Sequence, residues 1–454
     1  MTGRMRRFRA TKRPRAVLLF SAVLLLGSGV GAAGLDLGGT LANVTALEYR
    51  GAAEFGQWDK ISLWLSAGTT PDFRFYAQGS YEFTIDRPYL FDLDALRFDF
   101  APLPVLSFSL GRFEMAEFTG KVLRHTLDGA LGIVNLPFAV ISTGVGYSGL
   151  LLKPSSEIVM SRTDSADRDV DSKKLGSPRM VEALGVLFPE LFLRQDLDLS
   201  AIFQQDLRKA SDLIAEGEEV EFAGGLAGGR LNTQYFGVGV SGPLFPSFYH
   251  ESFLYFQTGK MLSYVDDPLS GTLHSYQFQP IRSAAVGTSL YFYRQELLHS
   301  RFGLSALLAG GDADYGSFLE GNSAGSAGQF VPVSRSTEAL IFTPELGNLL
   351  LLELGYSLKP FSRRPCRTWR NLQAELAAYV FLRPTPGPVS EEDVDPASTS
   401  RYLGSEVDAI LRFRPFSDLG LGLTFGFFLP NPAAFTAPAD RAWVQGRFEL
   451  SFSV

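Results

Sequence analysis

Apolar and polar residues alternate with a period of two along much of this chain. The clearest case is the segment from Trp443 to Val454, which reads WVQGRFELSFSV. Successive side chains of a β-strand point to opposite faces, so this segment predicts a strand with one apolar wall and one polar wall. The apolar wall carries Val444, Gly446, Phe448, Leu450, Phe452 and Val454, and the polar wall carries Gln445, Arg447, Glu449, Ser451 and Ser453.

The same alternation recurs in segments that are long enough to cross a membrane at a tilt, for which roughly 9–11 residues are needed. Residues 73–85 give the clearest strand of the first half, and the pattern returns in residues 194–204, 371–380, 403–414 and 418–429. No run of about 20 apolar residues follows residue 33, so the sequence predicts no transmembrane helix. A weak alternating signal spread over a whole chain is typical of a transmembrane β-barrel.

Short and long connections between the predicted strands also alternate. Turns containing Pro or Gly are predicted at residues 101–104, 135–137, around Pro189, and at 242–246 and 415–418. Longer polar stretches cover residues 153–178, 209–221, 310–336, 383–400 and 430–440. If the first strand leaves the periplasm, every long stretch falls on the outer side and both ends of the barrel are periplasmic. This pattern predicts about 18 strands, within a range of 16–18, because residues 223–230 and 338–346 are ambiguous.

The predicted fold is therefore all-β, a single antiparallel transmembrane barrel over residues 34–454. Hydrocarbon offers no hydrogen-bond partners to the backbone, so spanning strands must close into a ring. With roughly 16–18 strands, the interior is wide enough for an aqueous channel. Charges fall almost wholly on one face of each strand, and an Arg on the lipid face at mid-membrane would cost about 2–4 kcal/mol. The predicted lumen-facing residues are Arg74, Glu82, Arg194, Asp196, Asp198, Glu375, Glu406, Asp408, Arg412, Arg414, Arg447 and Glu449.

The first 33 residues have the features of a cleaved signal peptide. Seven Lys and Arg residues precede residue 16, an apolar run covers residues 16–30, and Gly31-Ala32-Ala33 offers small residues for cleavage. We expect cleavage near Ala33, with an uncleaved anchor as the alternative. Export through a signal peptide and a barrel fold together predict an outer-membrane location.

Composition narrows the remaining classes. The chain contains 38 Phe, 16 Tyr and 46 Gly, but a single cysteine, Cys366, so an internal disulfide and a thiolate metal cluster are excluded. The net charge of -7 is mild and argues against a nucleic-acid partner. No nucleophile elbow or P-loop occurs, and the four histidines lack metal-ligand spacing, so we expect no enzyme activity, metal or cofactor. Asp164, Asp167, Asp169 and Asp171 have a spacing that only partly fits a calcium loop, and a solvated loop is the favoured interpretation.

One region carries a family resemblance. The segments LGSEVD at residues 403–408, RPFSDLGLG at 414–422 and FFLP at 427–430 resemble the closing hairpins of alginate-export-type porins and related outer-membrane barrels, including many from spirochaetes. The resemblance covers about the last 55 residues. It implies a single barrel of about 18 strands that moves solutes across the outer membrane. It does not imply alginate as the solute, since alginate conduits have strongly arginine-lined channels and this chain is acidic.

Two functional hypotheses follow, with a third that the sequence disfavours. The first is a passive channel for small hydrophilic solutes, surrounded by outer-membrane lipid and inserted by the barrel-assembly machinery through its C-terminal strand. Its predicted constriction is residues 114–126, with Glu114, Glu117, Lys121, Arg124 and His125 as the polar candidates. The second is a surface adhesin that works through residues 153–178 and 310–336. Transport of long-chain apolar molecules is disfavoured, because no plug segment precedes the first predicted strand.

Overall fold

Alternating strands make up most of the described chain. The computed structural model describes residues 34–70, 72–221, 228–266, 273–321, 325–366, 368–436 and 441–454. The predicted signal peptide and its cleavage site at Ala33 lie outside these residues. The strands are β1 (Leu35–Tyr49), β2 (Ala53–Thr70), β3 (Phe73–Thr84), β4 (Leu90–Leu103), β5 (Leu106–Ala116), β6 (Arg124–Leu136), β7 (Ala139–Tyr147), β8 (Arg179–Phe192), β9 (Gln195–Asp206), β10 (Glu219–Glu221), β11 (Leu231–Phe245), β12 (Phe248–Asp266), β13 (Leu273–Arg294), β14 (Ser300–Ala309), β15 (Tyr315–Ser317), β16 (Glu320–Gly321), β17 (Leu349–Leu358), β18 (Gln373–Leu382), β19 (Tyr402–Phe413), β20 (Leu419–Pro430) and β21 (Trp443–Ser453).

Eighteen of these strands close into one antiparallel barrel. Each barrel strand pairs with the next along the chain, and β21 pairs with β1, where Phe448 lies opposite Thr45. The short strand β10 pairs only with the end of β13, and β15 and β16 form a separate hairpin. The prediction of an all-β barrel of about 18 strands is confirmed. Closure leaves no free sheet edge, so the backbone of every barrel strand can pair with two neighbours.

The outer face of the barrel is apolar. Leu47 and Phe55 are opposite each other on β1 and β2, and both are 59% exposed. The belt continues around the wall through residues such as Leu199, Leu254, Leu354 and Phe425, all of which are exposed. An exposed apolar surface of this extent is unstable in water and marks contact with a nonpolar phase. Among the described residues, no helix is long and apolar enough to cross a bilayer.

Connections differ in length between the two ends of the barrel. At one end, called here the short-turn end, two-residue turns occupy residues 104–105, 137–138, 193–194 and 246–247. At the other, the long-loop end, the longest connections span residues 148–178, 207–230, 310–348, 383–401 and 431–442. Two connections at the long-loop end, residues 50–52 and 85–89, are short, and residues 359–372 form a long connection at the short-turn end. Apart from these exceptions, the predicted asymmetry is present.

One predicted turn lies further along the chain than the sequence indicated. Strand β8 continues through Pro189 and ends at Phe192, so the turn falls at Leu193 and Arg194. Both residues have positive φ angles, 49° and 64°, as a two-residue turn of type I′ requires. Neither residue is Gly or Asn, the residues that usually mark such a turn. For this reason the sequence does not predict a turn at Leu193 and Arg194.

The connection at residues 148–178 contains an α-helix, α1 (Arg162–Asp169). Ser161 caps the helix by accepting a hydrogen bond from the Asp164 backbone N–H, and the Asp164 carboxylate accepts one from the Ser161 N–H. This reciprocal pair is a capping box, which satisfies two free donors at a helix start. The Asp164 carboxylate is therefore used to cap the helix. The Asp167 carboxylate forms a salt bridge with Lys173 at 2.6 Å.

Candidate functional site

The connection between β5 and β6, residues 117–123, folds into the barrel instead of extending outwards. Its shape is held by the Glu117 carboxylate, which accepts hydrogen bonds from the backbone N–H groups of Thr119, Lys121 and Val122. Gly120 has a φ of +66°, a conformation that glycine adopts without steric cost. Val122 and Leu123 are fully buried. The connection is therefore a rigid, packed turn within the lumen.

This turn reaches the wall formed by β11 and β12. The Tyr255 hydroxyl donates to the Glu117 carboxylate at 2.5 Å, and the Phe118 ring stacks on the Tyr255 ring with centroids 5.5 Å apart. Phe118 also lies over Gly239, where an added Cβ would be 2.5 Å from the ring. The absence of a side chain at Gly239 thus allows the aromatic ring to approach the wall. The β5–β6 connection narrows the lumen by these contacts.

The connection between β14 and β17, residues 310–348, forms a second inward segment. The Tyr235 hydroxyl donates to the Val331 carbonyl at 2.6 Å, and the Gln257 side chain exchanges two hydrogen bonds with the Val331 backbone. Further along, the Val333 N–H donates to the Val122 carbonyl at 2.9 Å. The β14–β17 connection therefore touches the β11–β12 wall and then pairs with the β5–β6 connection.

The same segment ends against β19 and β20. The Glu406 carboxylate, which is fully buried, accepts hydrogen bonds from the backbone N–H groups of Leu340, Ile341 and Phe342. The Phe342 ring stacks on Phe428 with centroids 4.8 Å apart. Three donors around one carboxylate fix both the position and the direction of the segment. The two inward segments together divide the lumen.

A cavity of about 480 Å³ lies between the β5–β6 connection and the wall from β9 to β17, and we call it the narrow passage. Lys121 and Glu338, one from each inward segment, form an ion pair at 2.5 Å on one side. Asp198, Glu251 and Glu353 line it on the wall side, and no salt bridge to any of these three is found among the described residues. The remaining lining is rich in hydroxyl groups and glycine. The narrow passage is thus polar and carries an excess of negative charge.

On the opposite wall, the basic side chains form salt bridges with neighbouring acids. Lys60 bridges Glu82 at 2.8 Å and Asp94 at 3.1 Å, and Arg97 pairs with Asp99 at 3.1 Å. Within β21, Arg447 pairs with Glu449 at 2.7 Å. Arg412 on β19 pairs with Glu375 on β18 at 2.8 Å. Such pairs largely cancel in the field that a passing solute meets, so the unpaired acids of the narrow passage dominate.

The structure separates the predicted lumen residues into groups. Asp198 lines the narrow passage, whereas Glu406 and Asp408 are buried beneath the β14–β17 connection. Arg194 and Arg414 lie in connections at the short-turn end, outside the strands. Glu82, Glu375, Arg412, Arg447 and Glu449 belong to the paired wall, Asp196 accepts a hydrogen bond from the Glu190 N–H near a turn, and Arg74 lies opposite Gly68 on β2.

The predicted constriction residues also separate. Glu117 and Lys121 lie in the inward turn. Glu114 and Arg124 pair at 3.3 Å and are each more than half exposed, on the strand face opposite to buried Phe113 and Met115. His125 is buried, and its Nε2 accepts a hydrogen bond from the Glu157 N–H at 2.8 Å, which attaches the 148–178 connection.

Several passage residues were not among the sequence candidates. Glu251 and Glu353 lie on β12 and β17, where alternation alone could have placed them on the polar face. Glu338 lies in residues 338–346, which the sequence does not assign clearly to a strand or a connection. An inward-folded connection has no regular alternation of apolar and polar residues. Among the described residues, no group of three His, Cys, Asp or Glu side chains is placed to hold a metal ion.

A buried ionic cluster fixes the 148–178 connection over the barrel. Arg179 Nη2 lies 2.6 Å from Asp164 Oδ2, and Arg208 lies 2.5 Å from Asp206 and 3.3 Å from Asp164. Burial alone would raise the pKa of Asp164, but the two guanidinium groups outweigh it and lower the pKa to about 2. Asp164 thus stays charged at neutral pH and attaches helix α1 to the roots of β8 and β9.

The fold is shared by solved barrel structures of low sequence identity. The crystal structure of Pseudomonas aeruginosa OpdL superposes with a TM-score of 0.57 at 14% identity, over 93% of this chain and 99% of OpdL. The outer membrane protein OpdK of the same organism gives 0.56 at 12% identity, over 92% of this chain and 99% of OpdK. OpdK has also been solved with vanillate, at a TM-score of 0.54 and 12% identity, over 92% of this chain and 98% of that one. No protein-family profile and no curated protein sequence matches the chain.

Proposed function

We propose that this barrel is an outer-membrane channel through which small hydrophilic solutes diffuse passively. The observation that carries the proposal is the narrow passage, a polar opening of about 480 Å³ left between the inward segments and the wall. A closed barrel with an apolar outer belt and a polar interior is suited to a membrane. The solved barrels of similar fold support the same interpretation, and we extend it to the location of the chain in the outer membrane.

The charge of the narrow passage supports a preference for cations. Asp198, Glu251 and Glu353 face it without a basic partner among the described residues, while Lys121 is neutralised by Glu338. Carboxylates that line a narrow polar site raise the local concentration of cations and lower that of anions. Vanillate, present in one OpdK structure, is a carboxylate, and the acidic lining here favours solutes of the opposite charge. Small amines and guanidinium compounds fit this requirement.

Reversal potentials in planar bilayers test both parts of the proposal. The refolded protein should conduct, and a KCl gradient should give a potential of the sign expected for cation preference. The triple variant Asp198→Asn, Glu251→Gln, Glu353→Gln should move that potential towards zero. A matched variant with Asp86→Asn, Glu216→Gln and Glu392→Gln, all exposed residues away from the passage, should change it much less. Absence of conductance at every voltage would contradict the channel, and equal effects of the two variants would contradict the assigned passage.

A surface adhesin is the second candidate, and the structure restricts how it could work. Of the two stretches proposed to display a binding surface, residues 310–336 belong to the inward β14–β17 connection, where Phe330 and Val333 are fully buried. Only residues 153–178, in the connection between β7 and β8, are left as the displayed part. Deleting them should abolish adhesion to host matrix and leave conductance unchanged if the adhesin hypothesis is right.

Four finer assignments belong to the same proposal. We propose that residues 1–33 are a signal peptide removed near Ala33, which N-terminal sequencing of the membrane form would test. The barrel-assembly machinery is the proposed insertion partner, through the alternating strand β21. A relationship to alginate-export-type porins rests on residues 403–430, where Glu406 and Asp408 have a packing role beneath the β14–β17 connection. We further propose that the barrel has no catalytic role.

A further inference from the structure

The connection between β17 and β18, residues 359–372, differs from the other connections at the short-turn end. The described turns there are mostly two residues long, whereas this connection has the sequence KPFSRRPCRTWRNL. It contains no acid and five basic residues, namely Lys359, Arg363, Arg364, Arg367 and Arg370. Because the whole chain carries a net charge of -7, this concentration of positive charge is a local feature of one connection.

Aromatic packing holds the basic connection against the outer face of the barrel. A short 3-10 helix, Trp369–Asn371, precedes β18, and the Trp369 ring stacks on Phe413 with centroids 5.1 Å apart. Phe413 follows Leu411 on the lipid-facing side of β19, at the end of the apolar belt. Trp369 nevertheless remains 51% exposed. A Trp ring at the end of the apolar belt, with one face packed on the barrel and the rest exposed, is typical of the boundary between hydrocarbon and lipid head groups.

Four cations of this connection, Lys359, Arg363, Arg364 and Arg370, lie among the described residues. Arg363 donates to the Glu296 carbonyl, and Arg370 Nε donates to the Arg364 carbonyl at 2.6 Å. In the described part of the chain, no carboxylate forms a salt bridge with Lys359, Arg363, Arg364 or Arg370. All four residues are exposed. The backbone contacts orient two of the guanidinium groups, and no second hydrogen bond from either group is found among the described residues, so each offers N–H donors to an anion.

We propose that the β17–β18 connection binds the phosphate of an anionic phospholipid in the membrane leaflet at the short-turn end. The charge is complementary, and the exposed Trp369 gives the lipid an aromatic contact beside the phosphate. Guanidinium groups bind phosphate through paired hydrogen bonds, and each basic residue near an anionic surface contributes about 1 kcal/mol, or roughly fivefold in affinity. This inference rests on the proposed function insofar as that function places the barrel in a membrane.

Native mass spectrometry of detergent-solubilised protein titrated with phosphatidylglycerol tests the site, with phosphatidylcholine as the neutral reference. The wild type should bind phosphatidylglycerol in preference. The variant Lys359→Gln, Arg363→Gln, Arg364→Gln, Arg370→Gln should bind it at least about tenfold more weakly. A control variant, Arg87→Gln, Lys174→Gln, Lys209→Gln, Arg401→Gln, removes the same charge from exposed residues at the long-loop end and should bind as the wild type does. Equal losses in the two variants, or none in the first, would overturn the proposal.

Two further arms separate the sources of the anion and the roles of the residues. Inorganic phosphate should not displace phosphatidylglycerol at equal concentration, and displacement would show that the site holds free phosphate instead. The variant Trp369→Ala should weaken lipid binding without changing the charge, whereas unchanged binding would contradict the aromatic contact. Conductance of the same preparations is recorded in parallel. Loss of lipid preference with normal conductance would contradict only the lipid site. Loss of conductance with normal lipid binding would contradict only the channel.

Discussion

At the scale of single residues, Glu406 shows how one carboxylate can position a long connection. Its two oxygens accept hydrogen bonds from three consecutive backbone N–H groups, those of Leu340, Ile341 and Phe342. Ile341 and Phe342 are fully buried, so water cannot replace the lost acceptor easily. An unsatisfied buried donor costs about 1–3 kcal/mol.

The first prediction concerns this carboxylate. Glu406→Ala should free the β14–β17 connection, and Glu406→Gln should have an intermediate effect, because the amide retains one acceptor oxygen. Hydrogen exchange should become faster at residues 340–342 and conductance noisier. Glu449→Ala removes an acid of the same lumen that pairs with Arg447 on its own strand, and it serves as the control. If hydrogen exchange at residues 340–342 is as slow in Glu406→Ala as in the wild type, aromatic packing alone positions the connection.

A second residue-scale prediction concerns polar residues on the outer face. Asn43 and Asp59 lie opposite each other on β1 and β2, in line with exposed Leu47 and Phe55, and the Asn43 amide donates to Asp59 at 2.6 Å. Gln57 Nε2 also donates to Asp59 at 3.2 Å, so two side chains depend on this carboxylate. Asn43→Leu should lower the free energy of unfolding by about 1–3 kcal/mol, and Asn43→Leu with Asp59→Leu should lower it by less than the sum of the two single changes, because the two residues are coupled. Urea unfolding in phosphatidylcholine vesicles measures both, and additive losses would refute the coupling.

At the scale of elements, strands were predictable and inward connections were not. Every strand segment named from alternation, such as residues 403–414, corresponds to an observed strand, here β19. The sequence predicts an outer loop for the Gly- and Ser-rich stretch 310–336, whereas this stretch contributes buried Phe330 and Val333 to the lumen. Its course depends on hydrogen-bonding side chains supplied by β11, β12 and β19, namely Tyr235, Gln257 and Glu406. A single sequence does not show such long-range partners, because the segment has no period.

The β14–β17 connection should also respond to pH. Burial raises the pKa of Glu345 to about 7, against the opposing attraction of Arg335, while its ordinary value is 4.5. The folded state thus holds this proton more tightly than the unfolded state. The stabilisation is complete below pH 4.5 and is lost as the pH rises through 7, with a total of about 3 kcal/mol. Limited proteolysis of residues 310–348 should accelerate between pH 5 and 9.

Glu345→Gln provides the control for this dependence, because the neutral amide mimics the protonated acid. Its proteolysis rate should stay low across the same range. The Asp164 cluster gives a contrast, since a carboxylate with a lowered pKa contributes stability above pH 3.8 that is lost only as the pH falls towards 2. The 148–178 connection should therefore remain protected between pH 5 and 9. A parallel rise in its cleavage would point to loosening of the whole barrel.

At the scale of the whole molecule, the strand number and the sidedness of connections followed from alternation and turn chemistry. The narrow passage did not, because it combines Lys121, Glu338 and acids from strands that are distant in sequence. Alternation assigns a residue to a face of a strand, but it does not give the height of that residue or the segment that covers it. Asp198 and Glu406 were both predicted to face the lumen, and only Asp198 lines the opening.

The orientation of the barrel can be tested with the single cysteine. Cys366 is exposed in the β17–β18 connection, at the same end as Gly34 and Val454. If this end is periplasmic, a membrane-impermeant maleimide too large for the passage should not label intact cells and should label them once the outer membrane is permeabilised. Cys366→Ser with Ser211→Cys moves the thiol to an exposed position at the long-loop end and should reverse this result. Labelling of Cys366 in intact cells, with none at residue 211, would mean that the barrel is inserted the other way. The phospholipid-binding connection would then face the outer leaflet, so the same experiment fixes which lipid pool Trp369 can meet.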